Sequence, residues 1–372
     1  MLIEPRSRRN LLAGVAKAVL SVSGTAALSG VSAFATSLNQ LAAPSSAEKL
    51  IPYGAAARSD ALASDLSYRA AIVANCQMVA PENELKWSEL RPTRDQYCFE
   101  KADAMIDFAR QNRIAIRGQA LSATSGLPPW TDALGSRACA ERELVDHIQT
   151  VVGRYKGQMT SWDVVSEPLA DWPEDQQSFR PSIFSHWLRA DYLPVALRAA
   201  AAAADPEARL VLNEYDLEFR GPRFTARRNA LIGLLRSLRD RDVPLHAVGL
   251  QAHLFADRSI DRDGLQRLLA EIIRLKLDVI ITELDVIDYE LPGLVSERDA
   301  RVANIAEGFL QPVCEVVRPK AILTWGLSDR YSWVPTYFKR PDGMPNRPLP
   351  LDADLRRKPL FDVIDEYRRK SA

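Results

Sequence analysis

The stretch Trp162-Asp163-Val164-Val165-Ser166-Glu167-Pro168 decides the fold. It is a short apolar run that stops in a polar cluster, and amphipathic helical stretches flank it at 141–155 and 191–204. In the first of these, Leu144, Val145, Ile148, Val151 and Val152 recur at helical spacing and make one apolar face. Outward from this unit the rhythm repeats. Eight apolar runs lie near residues 53–56, 72–79, 114–118, 162–165, 210–212, 248–250, 279–281 and 322–325. They read as buried parallel strands, apolar on both faces. Further helical patterns fall at 102–111, 227–238, 265–275 and 296–317. Strand–helix alternation predicts an α/β protein with a parallel sheet. Eight repeats in one barrel's length favour a single (β/α)8 TIM barrel over an open sheet.

The chain has 372 residues, 47% hydrophobic and 26% charged, which is enough apolar residue for a large core. Its first 35 residues differ from the rest. Arg8-Arg9 and Leu11-Leu12 precede a weakly apolar, small-residue stretch that ends at Ala33-Phe34-Ala35. A basic start, a moderately apolar centre and an A-x-A site predict a twin-arginine-type signal peptide over 1–35. A membrane-spanning helix fits less well, because the apolar runs fall short of a bilayer's thickness. Residues 36–47, rich in Ala, Ser and Pro, read as a linker, and 48–372 as the barrel. The protein is therefore expected to be exported, either periplasmic or secreted, with no membrane attachment once the signal is removed.

Residues 1–35 contain Arg6, Arg8, Arg9 and Lys17 against Glu4, so the remaining chain carries a net charge of −3. With no basic excess, nucleic acid is a poor partner. Cys76, Cys98, Cys139 and Cys314 form no C-x-x-C pair, which argues against zinc. A Cys76–Cys98 disulfide and four buried thiols are the two options, and the second is slightly favoured. His147, His186, His246 and His253 show no ligand spacing, so neither a metal nor a cofactor is expected. The sequence has no glycine-rich phosphate loop, G-x-S-x-G elbow or H-E-x-x-H helix, which removes support for nucleotide enzymes, serine hydrolases and common zinc proteases.

In a barrel of this kind the active site forms where the strands stop. The second run ends in Pro81-Glu82-Asn83-Glu84-Leu85-Lys86-Trp87, and the fifth in Asn213-Glu214-Tyr215-Asp216. The sixth ends in Gln251-Ala252-His253 and the seventh in Thr282-Glu283-Leu284-Asp285. The eighth runs from Trp325 to Trp333. Carboxylates and amides can bind sugar hydroxyls in pairs, and indole faces suit pyranose rings. Hydrolysis of a glycosidic bond needs two carboxyl groups, one to protonate the leaving oxygen and one to attack or to activate water. Glu167 and Glu283 follow buried strands four and seven, on opposite sides of the expected ring.

These motifs together resemble glycoside hydrolase family 10, a barrel family best known for endo-β-1,4-xylanases, over about residues 50–366. Pro81–Trp87, Trp162–Glu167, Gly249–His253, Ile281–Asp285 and Thr324–Trp333 carry the likeness. The resemblance implies retaining hydrolysis of xylan or a related β-1,4-glycan; separately, a monomer is expected. Glu167 would be the acid and then the base, holding a proton under the influence of the Glu283 anion, and Glu283 the nucleophile. His253 would orient Glu283. Glu82, Asn83, Lys86 and Gln251 would bind sugar hydroxyls, and Trp325 and Trp333 would wall the cleaved sugar.

Two strand ends depart from the family. Its third strand usually continues R-G-H-T-L-V-W-H, and here it reads Arg117-Gly118-Gln119-Ala120-Leu121-Ser122-Ala123-Thr124. Ser166 stands where the family places Asn before the acid/base. A pocket reshaped for a differently substituted sugar is the preferred reading. The alternatives are a catalytically weakened or non-catalytic glycan-binding barrel, and a hydrolase trimming a polysaccharide made by the same cell.

Overall fold

A computed structural model describes residues 50–370 apart from Ser125. The expected signal segment and linker lie outside the described residues. The strands are β1 (Tyr53–Ala57), β2 (Met78–Pro81), β3 (Ala115–Ile116), β4 (Ser161–Ser166), β5 (Arg209–Glu214), β6 (Ala247–Leu250), β7 (His253–Phe255), β8 (Asp278–Ile287) and β9 (Ile322–Thr324). All pairings between them are parallel, in the order β3-β2-β1-β9-β8-β6-β5-β4, with β7 beside the far end of β8. Parallel bridges from Gly118 to Trp162 and from Ala123 to Ser166 join the two ends of this order. The chain is thus a (β/α)8 barrel.

Every residue of β1 and of β4 is buried, as strands covered on both faces require. On β5, β6 and β8, residues Val211, Ala247 and Ile280 pack with Ala80 and Leu323 as a small separate cluster. Their chain neighbours Leu212, Val248 and Ile281 belong to the large cluster that includes the helices. Since side chains alternate across a strand, the small cluster is a layer filling the barrel interior. The outer helices present apolar stripes: Arg262–Arg274 buries Leu265, Leu268, Leu269 and Ile272, and Asp261 caps its start through Gly264 N at 3.1 Å.

Closure between the third and fourth strands depends on Gly118. A Cβ there would lie 2.1 Å from the Trp162 ring, so only glycine admits the indole. This strand region is irregular, and only Ala115–Ile116 of the expected 114–118 run is strand. The expected run at 72–79 is also corrected. Ile72 to Asn75 complete the helix Leu66–Asn75, and Cys76 Nα bonds back to Ile72 O at 2.9 Å before β2 begins. Short apolar runs at a helix–strand junction look alike in sequence. A third difference is β7, which adds a short strand after the sixth barrel strand. The fourth and seventh barrel strands (β4 and β8) are three steps apart in the ring, one short of opposite.

All four cysteines are free. Cys76 and Cys314 are buried, while Cys98 and Cys139 are partly exposed, so neither expectation for them holds in full. Among the described residues no helix is long and apolar enough to cross a membrane.

Candidate active site

At the rim above the strand ends the chain turns sharply. Ala120, Glu167, Asp216 and Ala252, which follow the third to sixth barrel strands, all have φ between 55° and 59°. Left-handed backbone costs a non-glycine residue roughly 1–2 kcal/mol, so the surrounding structure must impose it. At Ala252 the turn separates two neighbours by direction: Gln251 Nε2 reaches Glu167 Oε1 at 3.1 Å, while His253 Nε2 meets Glu283 Oε2 at 3.2 Å.

Glu283 is held from both sides. Asn213 Nδ2 donates to its Oε1 at 2.7 Å, opposite the His253 contact. Asn213 in turn is fixed by Thr282 Oγ1, which donates to Asn213 Oδ1 at 2.8 Å, and by Asp163 Oδ2, which accepts at 3.2 Å. Gly249 leaves the space for this amide, since a Cβ there would lie 2.3 Å from Asn213 Oδ1. Behind Asp163, the buried Arg117 guanidinium closes the chain of contacts. Burial pushes the Asp163 carboxyl up to about 6; Arg117 opposes this and the Glu283 charge adds to it.

His253 is bound on its other nitrogen by the fully buried Asp285, with Nδ1 to Oδ1 at 2.9 Å. Trp333 Nε1 donates to Asp285 Oδ2 at 2.7 Å. Burial alone would lower the proton affinity of His253, but the Asp285 and Glu283 carboxylates outweigh it and hold the imidazole well above its usual range. The protonated ring then donates to both carboxylates.

Glu167 is more open, with 27% of its side chain exposed. Besides Gln251 it has a cationic partner, Arg180 Nη1, which donates to Oε2 at 2.8 Å. Arg180 also pairs with Asp171 at 3.1 Å and contacts the Tyr215 hydroxyl. The expected neighbour of Glu167 is an anion, Glu283; its observed ion-pair partner is the Arg180 guanidinium. Below it, Glu214 is buried against Arg227, and accepts from Leu169 N at 2.8 Å. Burial pushes Glu214 up to about 7 against the pull of Arg227.

Both glutamates line one open cleft of about 500 Å³, together with Lys86, Gln251, His253, Trp325 and Trp333. Glu82 and Asn83 lie outside it. Asn83 Oδ1 instead accepts from Lys86 Nζ at 2.7 Å and so steadies that ammonium. Glu82 Oε1 accepts from Asn83 Nδ2 at 3.5 Å, and burial pushes its carboxyl up to about 7, opposed by Arg58 and Lys86. The divergent residues also meet here. Ala123 and Ser166 line the cleft. Gln119 turns its amide back to the carbonyls of Pro81 and Glu82, the latter at 3.0 Å.

Sequence reasoning missed Arg180, Asn213 and Asp285 as site residues. Asn213 and Asp285 stood in the quoted strand ends, but nothing in their spacing distinguished them. Arg180 lies in the loop after β4, where no periodic pattern operates.

Two carboxyl groups, one anchored and one more exposed, share a sugar-sized cleft walled by indoles at the C-terminal rim of a barrel. That combination defines a glycoside hydrolase. The sequence profile of Glycosyl hydrolase family 10 matches residues 40–367, and the chain belongs to that family. Endo-1,4-beta-xylanase A of Phanerodontia chrysosporium is 31% identical over 340 residues, 90% of this chain and 78% of the relative. Native xylanase 10B from Thermotoga maritima superposes with a TM-score of 0.76 at 30% identity, over 86% of this chain and 94% of that one. Xylanase 10B from Thermotoga petrophila RKU-1, solved in complex with xylobiose, gives 0.77 at 29% identity, over 93% and 98%.

Proposed function

We propose that the protein is an endo-1,4-β-xylanase that hydrolyses internal β-1,4 bonds of xylan with retention of anomeric configuration. Glu283 attacks the anomeric carbon while Glu167 gives its proton to the departing glycosidic oxygen. The leaving chain departs as an alcohol, and a glycosyl ester remains on Glu283. Glu167, now a carboxylate, takes a proton from water, which attacks the same carbon and releases Glu283.

The observation that carries this reading is the two-sided hold on Glu283 by Asn213 and His253. Charge-assisted donors on both oxygens stabilise the anion and fix its aim. For Glu167 to carry the proton, it must leave its pair with Arg180 as substrate enters. Lys86 and Gln251 take sugar hydroxyls, and Trp325 and Trp333 wall the sugar to be cleaved. Asn83 places Lys86, and Glu82 and Asn83 take sugar hydroxyls further along the bound chain. The names of the relatives support xylan as the polymer. The chain acts as a monomer and is exported by the twin-arginine route, with residues 1–35 removed on export. Sizing by light scattering and N-terminal sequencing of exported protein test those two points.

Release of reducing ends from xylan and from other β-1,4-glycans, with NMR of the first-formed anomer, tests the reaction. Glu283→Ala and Glu167→Ala should each lose most turnover. A folded wild type that cleaves none of the glycans, or an inverted first product, would reject the proposal.

A further inference from the structure

Arginines crowd one side of the cleft beyond what holding neutral sugars requires. Arg180, Arg223 and Arg258 all line it. They share few carboxylates. Asp171 serves Arg180 at 3.1 Å and Arg223 at 3.7 Å, and Asp216 serves both Arg223 and Arg258. Glu167 is the remaining partner, through Arg180. When Glu167 carries its proton for catalysis, three guanidiniums face two carboxylates.

Arg258 is the least committed of the three. Its side chain is 31% exposed, and its one acidic contact, from Nη1 to Asp216 Oδ1, is long at 3.4 Å. Among the described residues its other guanidinium N–H groups have no hydrogen-bond acceptor. Its plane is nevertheless held in place: the guanidinium carbon lies 3.6 Å from the centre of the Phe255 ring and 5.3 Å from that of Phe219. Phe255 shares its face of β7 with His253, two residues earlier, so the guanidinium rests on the same wall that positions Glu283. A planar donor fork, fixed on aromatic rings with spare N–H groups at a cleft, suits a carboxylate.

We infer that the cleft is built for a carboxylate-bearing glycan, a β-1,4 chain carrying uronic acid groups, with the anionic group received by Arg258. The inference rests on the hydrolase reading for the sugar backbone and adds the charge of the substrate. Ala123 and Ser166, both small, also line this cleft.

The test compares a xylo-oligosaccharide bearing one glucuronic acid with the same compound after reduction of its carboxyl to hydroxymethyl. Binding is measured by calorimetry in the Glu283→Gln background, so that nothing is cleaved. The acidic form should bind about 10-fold tighter. Arg258→Gln added to that background should bring the ratio to about one. Arg258→Lys, which keeps charge but loses the fork, should fall between, and it serves if the Gln variant misfolds. Equal binding of the two forms, binding of neither, or a ratio unchanged by both Arg258 variants overturns the inference. Hydrolysis by the wild type is read separately. Preferential binding without turnover of either compound would sink the xylanase proposal and leave this one standing.

Discussion

Asn213 Nδ2 lies 2.7 Å from Glu283 Oε1, and the amide is held there by Thr282 and Asp163. A residue on the fifth barrel strand thus aims a carboxylate on the seventh. Removing a hydrogen bond to a charged group costs about 1.5–3 kcal/mol, which is roughly 10- to 150-fold in rate if the bond acts in the transition state. Asn213→Ala should lower kcat/KM by that order, and should lower the melting temperature too, because buried Thr282 and Asp163 lose the same amide. An unchanged rate would remove Asn213 from the mechanism. Gly249→Ala should reproduce the defect from the next strand, because its new methyl group occupies the amide's place.

His253 gives a pH signature. Burial disfavours its charge, but Asp285 and Glu283 hold its folded pKa well above the usual value near 6.5. A group with a raised folded pKa contributes stability that is complete below the unfolded pKa and lost as pH rises through the folded one. His253→Gln should therefore lower the melting temperature most below about pH 6.5, with the deficit shrinking in alkaline buffer. A deficit that grows with pH would mean the ring is neutral. Melting curves of both proteins from pH 5 to 10 decide between them.

Arg227 and Glu214 form an ion pair with no exposed side-chain surface. Arg227 also donates to the carbonyl oxygen of Ala170 at 2.7 Å and to that of Tyr215 at 3.2 Å. It ties the loop after β4 to that after β5. Breaking a buried pair from one side costs about 3–5 kcal/mol. Arg227→Met should destabilise by that order in urea unfolding, and Glu214→Gln by less, since Glu214 is already pushed up to about 7 by burial. Equal losses for the two variants would contradict this account.

Gly118→Ala tests closure of the barrel. The added carbon would meet the Trp162 ring, on the strand that carries Glu167. Overpacking of this kind costs about 1–3 kcal/mol or more. The variant should show a lower urea midpoint and weaker activity together. The double variant with Trp162→Phe should recover part of the stability, and failure to recover any would place the strain elsewhere.

Several features were legible without coordinates because they are written in short-range pattern. Apolar runs that stop in polar clusters set the strand ends, and so Glu167, Gln251, His253 and Glu283 could be placed at one rim. Helical stripes were equally plain, since burying one face demands a fixed spacing. The junction at 72–79 was not, because an apolar helix end and a buried strand share the same local composition.

The tertiary structure alone decided which polar groups meet. Asn213 reaches Glu283 across 70 positions of chain, and Gln251 reaches Glu167 across 84. It placed Glu82 and Asn83 outside the cleft, turned Gln119 toward backbone carbonyls, and set Arg180 against Glu167. The sequence by itself determined the barrel and its two glutamates, because hydrophobic periodicity is a property of neighbours along the chain. The partners of those glutamates depend on ring order, rim turns and direction at each strand end, which only the closed barrel fixes.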